Sequence, residues 1–94
     1  MTIKIGKWTF ATKAAAVQHC QGILYSGDLD TEIVGDQAEF VRSIFQMRPD
    51  KVALLEGRSI RKFLRKKHRH NTPCFFAELS DGTLLDFSFM KVIK

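Results

Sequence analysis

The sequence predicts an α+β fold, with two helices packed on one face of a small, mainly antiparallel sheet that ends in a C-terminal hairpin. Apolar residues recur at helical spacing over residues 16–24 and again over residues 40–45. The last third of the chain instead alternates apolar and polar residues on either side of Asp81-Gly82. One apolar sheet face and two apolar helix stripes bury one another, which is why these patterns belong to one architecture.

In chain order, "TIKIGKWTF" alternates around Gly6 and predicts two short strands or a strand and a turn. Thr12 is placed to cap a helix running to about Ser26, with Ala16, Val17, Cys20, Ile23 and Leu24 as its buried stripe and Gly22 interrupting it. "GDLDTEIVG" reads as a loop, and residues 27–39 hold five carboxylates and no cation. A second helix follows, with Asp36 as cap, Glu39 completing a capping box, and Phe40, Val41, Ile44 and Phe45 facing inward. Pro49 ends it and opens a further turn that Gly57 closes. In "PCFFAELSDGTLLDFSF", Phe75, Ala77 and Leu79 share one strand face, and Leu85, Phe87 and Phe89 share another. Asp81-Gly82 between them predicts a two-residue type I′ turn.

A chain of 94 residues makes one domain, residues 1–94, and buries roughly 60–65% of its unfolded surface. Two cysteines do not make a disulfide scaffold and point to a reducing compartment. There is no secretory h-region and no apolar run of ~20 residues, so a cytoplasmic protein without membrane contact is expected.

Charge is unevenly placed. "RSIRKFLRKKHRH", residues 58–70, holds seven of the fifteen Lys and Arg, two His and no carboxylate. Ile60, Phe63 and Leu64 have helical spacing, whereas a strand needs a bulge near Arg61-Lys62 to bring Ile60 and Phe63 to one face. Pattern alone leaves both open.

The motifs resemble a known family. "DGTLLDFSFMKVI" is similar to the C-terminal signature of the DCL-like domain (defective chloroplasts and leaves), here Asp81, Gly82, Thr83, Asp86, Phe87, Ser88, Phe89 and Lys91. "ILYS" at 23–26, "FVRSIFQMRPDK", "GRSIRKFLRKK" and "TPCFF" resemble its further segments in the same order. The resemblance implies a compact α+β domain without agreed enzymatic activity. The family occurs in plant organelle proteins needed for ribosomal RNA maturation, at the tail of a plant-specific RNA polymerase largest subunit, and in small bacterial and phage proteins. It favours a strand for the basic segment. Arg48 stands where the family has His, Pro73 where it has Arg, and Arg65 at a usually apolar β position, which unsettles the strand register.

As a strand, residues 58–67 span roughly 30 Å and lay cations along a track that can neutralise several phosphates. The expected contacts are Arg58, Arg61, Lys62, Arg65, Lys66, Lys67 and Arg69, flanked by Arg48 and Lys91, with the acidic loop lying away from the ligand. Phe76 and Trp8 are the candidates for base stacking. A helix-turn-helix reading fails, because Asp36, Gln37 and Glu39 would face the DNA. His68, His70 and Cys74 with Cys20 lack the paired spacing of a zinc site, so neither metal nor cofactor is expected. Glu78, Asp81 and Asp86 suggest a metal-dependent nuclease only weakly, since Asp81 suits the turn and Ser88 or Asp86 suits a terminal cap. The sequence thus predicts a non-enzymatic nucleic-acid-binding accessory domain, with RNA favoured over DNA on the resemblance. The alternatives are a module docking on an acidic protein or polymerase subunit and, more remotely, a nuclease.

Overall fold

Gly6 turns the first alternating stretch back on itself with φ +58°, pairing β1 (Ile3–Ile5) with β2 (Trp8–Phe10) as an isolated antiparallel hairpin. A Cβ at Gly6 would collide with Ser43, so the turn sits directly against the second helix. The structure is a computed structural model that describes residues 2–67 and 73–93, except for the side chain of Lys91. Thr12 starts α1 (Lys13–Tyr25) as expected, its Oγ1 accepting from the Ala15 amide at 3.1 Å. Ala16, Cys20, Ile23 and Leu24 are its buried face, and the helix runs unbroken through Gly22.

The predicted loop after α1 contains β3 (Thr31–Ile33), an edge strand that buries Ile33 opposite Phe63. Three residues are too few to display an alternation of their own. Pairing with a longer neighbour makes this strand. Next comes α2 (Gly35–Gln46), which begins before Asp36: Val34 occupies the cap position and no side chain caps the helix. The predicted capping box is therefore absent. Asp36 lies inside the first turn, where its charge complements the helix dipole, and Glu39 reaches Lys7 at 3.5 Å. The stripe of Phe40, Val41, Ile44 and Phe45 is buried as predicted. Pro49 opens α3 (Pro49–Ala53), and Gly57 leaves the following turn with φ +84°.

The basic segment forms β4 (Ile60–Lys67), which pairs with β3 on one side and with β5 (Pro73–Leu79) on the other; β6 (Leu84–Phe87) completes the sheet. All pairings are antiparallel, and the register shifts between Ile60 and Lys62, where the strand reading required a bulge. The β5–β6 turn differs from the two-residue form. The Leu79 amide donates to Thr83 O at 2.8 Å and the Gly82 amide to Leu79 O at 2.9 Å. Gly82 has φ +90°, while Asp81 is not among the residues with positive φ. This is a three-residue loop in which glycine alone takes the left-handed position, and Asp81 serves it by accepting from the Thr83 amide.

The core lies between α1, α2 and one sheet face: Phe40, Phe45, Phe63, Phe75 and Phe87 are fully buried there, with Phe45 edge-on to Phe87 at 5.1 Å. Among the described residues, no helix is long and apolar enough to cross a membrane.

Candidate nucleic-acid interface

Strand parity sorts the basic residues before any ligand can. Cross-strand partners share a face, so Phe63 and Arg65, opposite Ala77 and Phe75, point to the core. Lys62, Leu64 and Lys66, opposite Glu78, Phe76 and Cys74, point away from it. The predicted single ridge of cations is thereby split between two faces.

Arg65 is the clearest correction. It is 5% exposed, and its guanidinium donates to Ile23 O at 2.7 Å, Thr31 Oγ1 at 3.2 Å, Glu32 O at 3.3 Å, Ser26 Oγ at 3.2 Å and Gln37 Oε1 at 3.1 Å. Every acceptor is neutral, and Ile23 O and Ser26 lie at the negative end of α1, where a cation is favoured. Arg65 ties α1, β3 and α2 together and cannot reach a ligand outside. It leaves the strand register intact.

Arg58 is also engaged with the fold. It donates to Leu54 O at 2.8 Å and Leu55 O at 2.9 Å, pairs with Asp81 at 2.8 Å, and binds Thr83 Oγ1 at 3.1 Å. The Arg58 hydrogen bond, followed by the Thr83 amide, lowers the Asp81 carboxyl to about 2. Arg48 holds Asp50 through two hydrogen bonds of 3.1 and 2.8 Å and donates to Ser88 O at 3.1 Å, joining α3 to the C-terminal motif. The Asp50 hydrogen bond raises Arg48 above the ordinary guanidinium range, and the same contact lowers Asp50.

Arg61 pairs with Glu78 at 3.5 Å and Lys66 with Asp30 at 2.7 Å. Among the described residues Lys62 and Lys67 have no ion pair. Arg69 and the side chain of Lys91 lie outside the described residues. The acidic segment does not stand apart from the basic one: β3 is hydrogen-bonded to β4, which brings Asp30 to Lys66 and Glu32 opposite Leu64. No periodicity in the sequence marks Asp30 or Gln37 as partners of this strand, because both arrive through tertiary pairing.

The two aromatic candidates separate. Trp8 packs edge-on to Phe40 at 5.2 Å, beside the core and on the other sheet. Phe76 is half-buried at the centre of the outward face, between Leu64 on β4 and Asp86 on β6, and outside the core cluster. Lys62 and Lys66 flank Leu64, diagonal to Phe76 at a spacing of roughly 7–8 Å for such positions.

The Asp-Phe-Ser motif is built into the fold. Asp86 faces Lys51 at 3.9 Å, Phe87 fills the core, and Ser88 Oγ accepts from the Met90 amide to cap a 3-10 turn, Phe89–Lys91. Burial pushes the Cys20 thiol up to about 12 and also raises Cys74, where the Asp86 charge adds to it. Among the described residues no group of three or more potential metal ligands comes together; His68 and His70 lie outside them.

Comparison with known proteins adds the following. The chain is similar to an uncharacterized protein from Rhodospirillum rubrum, solved by solution NMR. The TM-score is 0.84 at 25% sequence identity, covering 95% of this chain and 85% of that one. Comparison with curated proteins gives no match. A family model described as "protein of unknown function (DUF3223)" matches residues 21–93, which takes in every element from the second half of α1 to the terminal turn, and the chain belongs to that family.

Proposed function

We propose that this domain binds single-stranded nucleic acid, with RNA favoured, across the outward face of its four-stranded sheet. The observation that carries the reading is the placement of Phe76 at the centre of that face with Lys62 and Lys66 diagonal to it and Arg61 at the bulge. An aromatic ring on an antiparallel sheet offers a stacking platform to any base, and neighbouring cations meet the phosphates. In the Arg61–Glu78 and Lys66–Asp30 pairs one partner is exposed and the other half-buried. Such pairs contribute about 0–1 kcal/mol, so a phosphate can take over either cation at little cost. The resemblance to the DCL-like domain, whose settings involve RNA, supports the same ligand class. The two free cysteines accord with a cytoplasmic setting. The role is that of a binding accessory domain, without a catalytic step.

The test is fluorescence anisotropy with a labelled oligouridylate and a duplex DNA of equal length. Phe76→Ala, assayed well below its melting temperature, is expected to weaken single-strand binding about tenfold, within the ~1–3 kcal/mol typical of base stacking. That temperature falls because a half-buried ring is removed. Lys62→Ser adds a smaller loss. Wild-type protein that ignores oligouridylate, or a Phe76→Ala variant that binds it equally well, would remove the proposal.

A further inference from the structure

A cleft of about 310 Å3 opens between α2, α3 and the start of β4, and Phe76 does not line it. Its floor is apolar: Phe45, Val52, Leu55 and Ile60. Its polar rim is formed by Arg42, Gln46 and Ser59. Arg42 is exposed, lies 5.3 Å from the Phe63 ring centroid, and among the described residues has neither ion pair nor hydrogen bond. The other guanidinium at the cleft, Arg58, is already committed to Asp81, Thr83 and the Leu54 and Leu55 carbonyls. The cleft therefore offers one available positive charge above an apolar floor.

The surrounding segment is apolar and open. α3 buries none of its residues, and Met47, Val52 and Leu54 are all more than a third exposed. Of these three, Val52 lines the cleft, so part of its apolar wall stays open to an incoming side chain. The volume lies at the lower limit of ligand pockets, about 300–1,000 Å3, and suits an aliphatic side chain with its adjoining backbone.

We infer that this cleft is a docking site for an acidic peptide segment of a partner protein, which inserts an aliphatic side chain between Val52, Leu55 and Ile60 and sets a carboxylate on Arg42. Charge complementarity selects that occupant. The chain is net +5 and the free rim group is a guanidinium, which meets a carboxylate with two parallel hydrogen bonds. A single cation is enough for one carboxylate and too few for a run of phosphates. The cleft shares no lining residue with the face around Phe76, Lys62 and Lys66.

The experiment is a titration of the 15N-labelled full chain, followed by amide NMR, with acetyl-Leu-Asp-amide and with its isostere acetyl-Leu-Asn-amide. Dissociation constants on the order of millimolar are expected for ligands this small. Amide shifts should centre on Gln46, Val52, Leu55 and Ser59, with the aspartyl peptide binding about threefold to fivefold more tightly. Arg42→Gln should bring the aspartyl peptide to the level of the asparaginyl one and leave the latter unchanged. Val52→Glu should weaken both peptides, and Phe76→Ala neither. Amide positions away from the cleft report whether each variant keeps the fold. Equal affinity for the two peptides, shifts centred elsewhere, or no shifts at tens of millimolar would overturn the inference. So would displacement of the same signals by oligouridylate, or a wild-type dimer in sedimentation that Val52→Glu dissociates, since the cleft would then belong to nucleic acid or to a second copy.

Discussion

Arg65 shows how little a residue's type says about its role. In sequence it is one of seven cations within thirteen positions, yet inside the fold it is a buried cross-link with five neutral acceptors. Arg65→Ala is expected to lose about 2–4 kcal/mol in chemical denaturation, because it leaves the buried Ile23 carbonyl and four half-buried acceptors without their donor. Arg65→Lys should restore only part of that loss, since an ammonium cannot reproduce the planar fork. Asp81 makes a second residue-scale prediction. Its carboxyl titrates at about 2 in the fold and near 3.9 when unfolded, so the charged form is the one the native state prefers. Its contribution is complete above about pH 4 and disappears as pH falls toward 2. Asp81→Asn should therefore flatten the acid limb of a stability–pH profile in that window and leave its shape near neutrality unchanged.

Among the elements, α1 and α2 announce their buried faces because a 3.6-residue period over three turns is a long signal. Strand β4 is ambiguous in sequence because its apolar residues fit either period. The bulge between Ile60 and Lys62 resolves this by letting Ile60 and Phe63 share the inner face. Gly22 marks a helix that tolerates a poor former. Nothing lies within 4 Å of where its Cβ would stand. Gly22→Ala should raise stability by about 0.5–1 kcal/mol, read as a higher denaturant midpoint at constant slope. The caps divide by mechanism. Thr12 and Ser88 cap with their hydroxyls, whereas α2 starts without a side-chain cap because the chain enters it directly from β3 through Gly35.

For the whole molecule, charge separation along the chain turns into charge pairing in space. Of the three outward cations, Arg61 pairs with Glu78, Lys66 pairs with Asp30, and Lys62 has no ion pair among the described residues. The proposed engagement of all three by a strand laid over Phe76 predicts a log–log salt slope of about −2 on single-stranded RNA. A ridge of seven would give about −5. Anisotropy titrations between 50 and 200 mM salt separate the two values.

The sequence by itself determined the fold class, both helix stripes and the bulge that a basic strand would need, and it narrowed the cap of the terminal turn to Ser88 or Asp86. Each rests on a local pattern or a local hydrogen bond, and such patterns are complete within a dozen residues. Only the tertiary structure decided which cations reach solvent and which carboxylates face them. It also decided that three residues after α1 become a strand and that Phe76 alone of the two stacking candidates stands on the open face. Those outcomes depend on which strand lies beside which, and strand pairing joins residues more than thirty positions apart, such as Asp30 and Lys66.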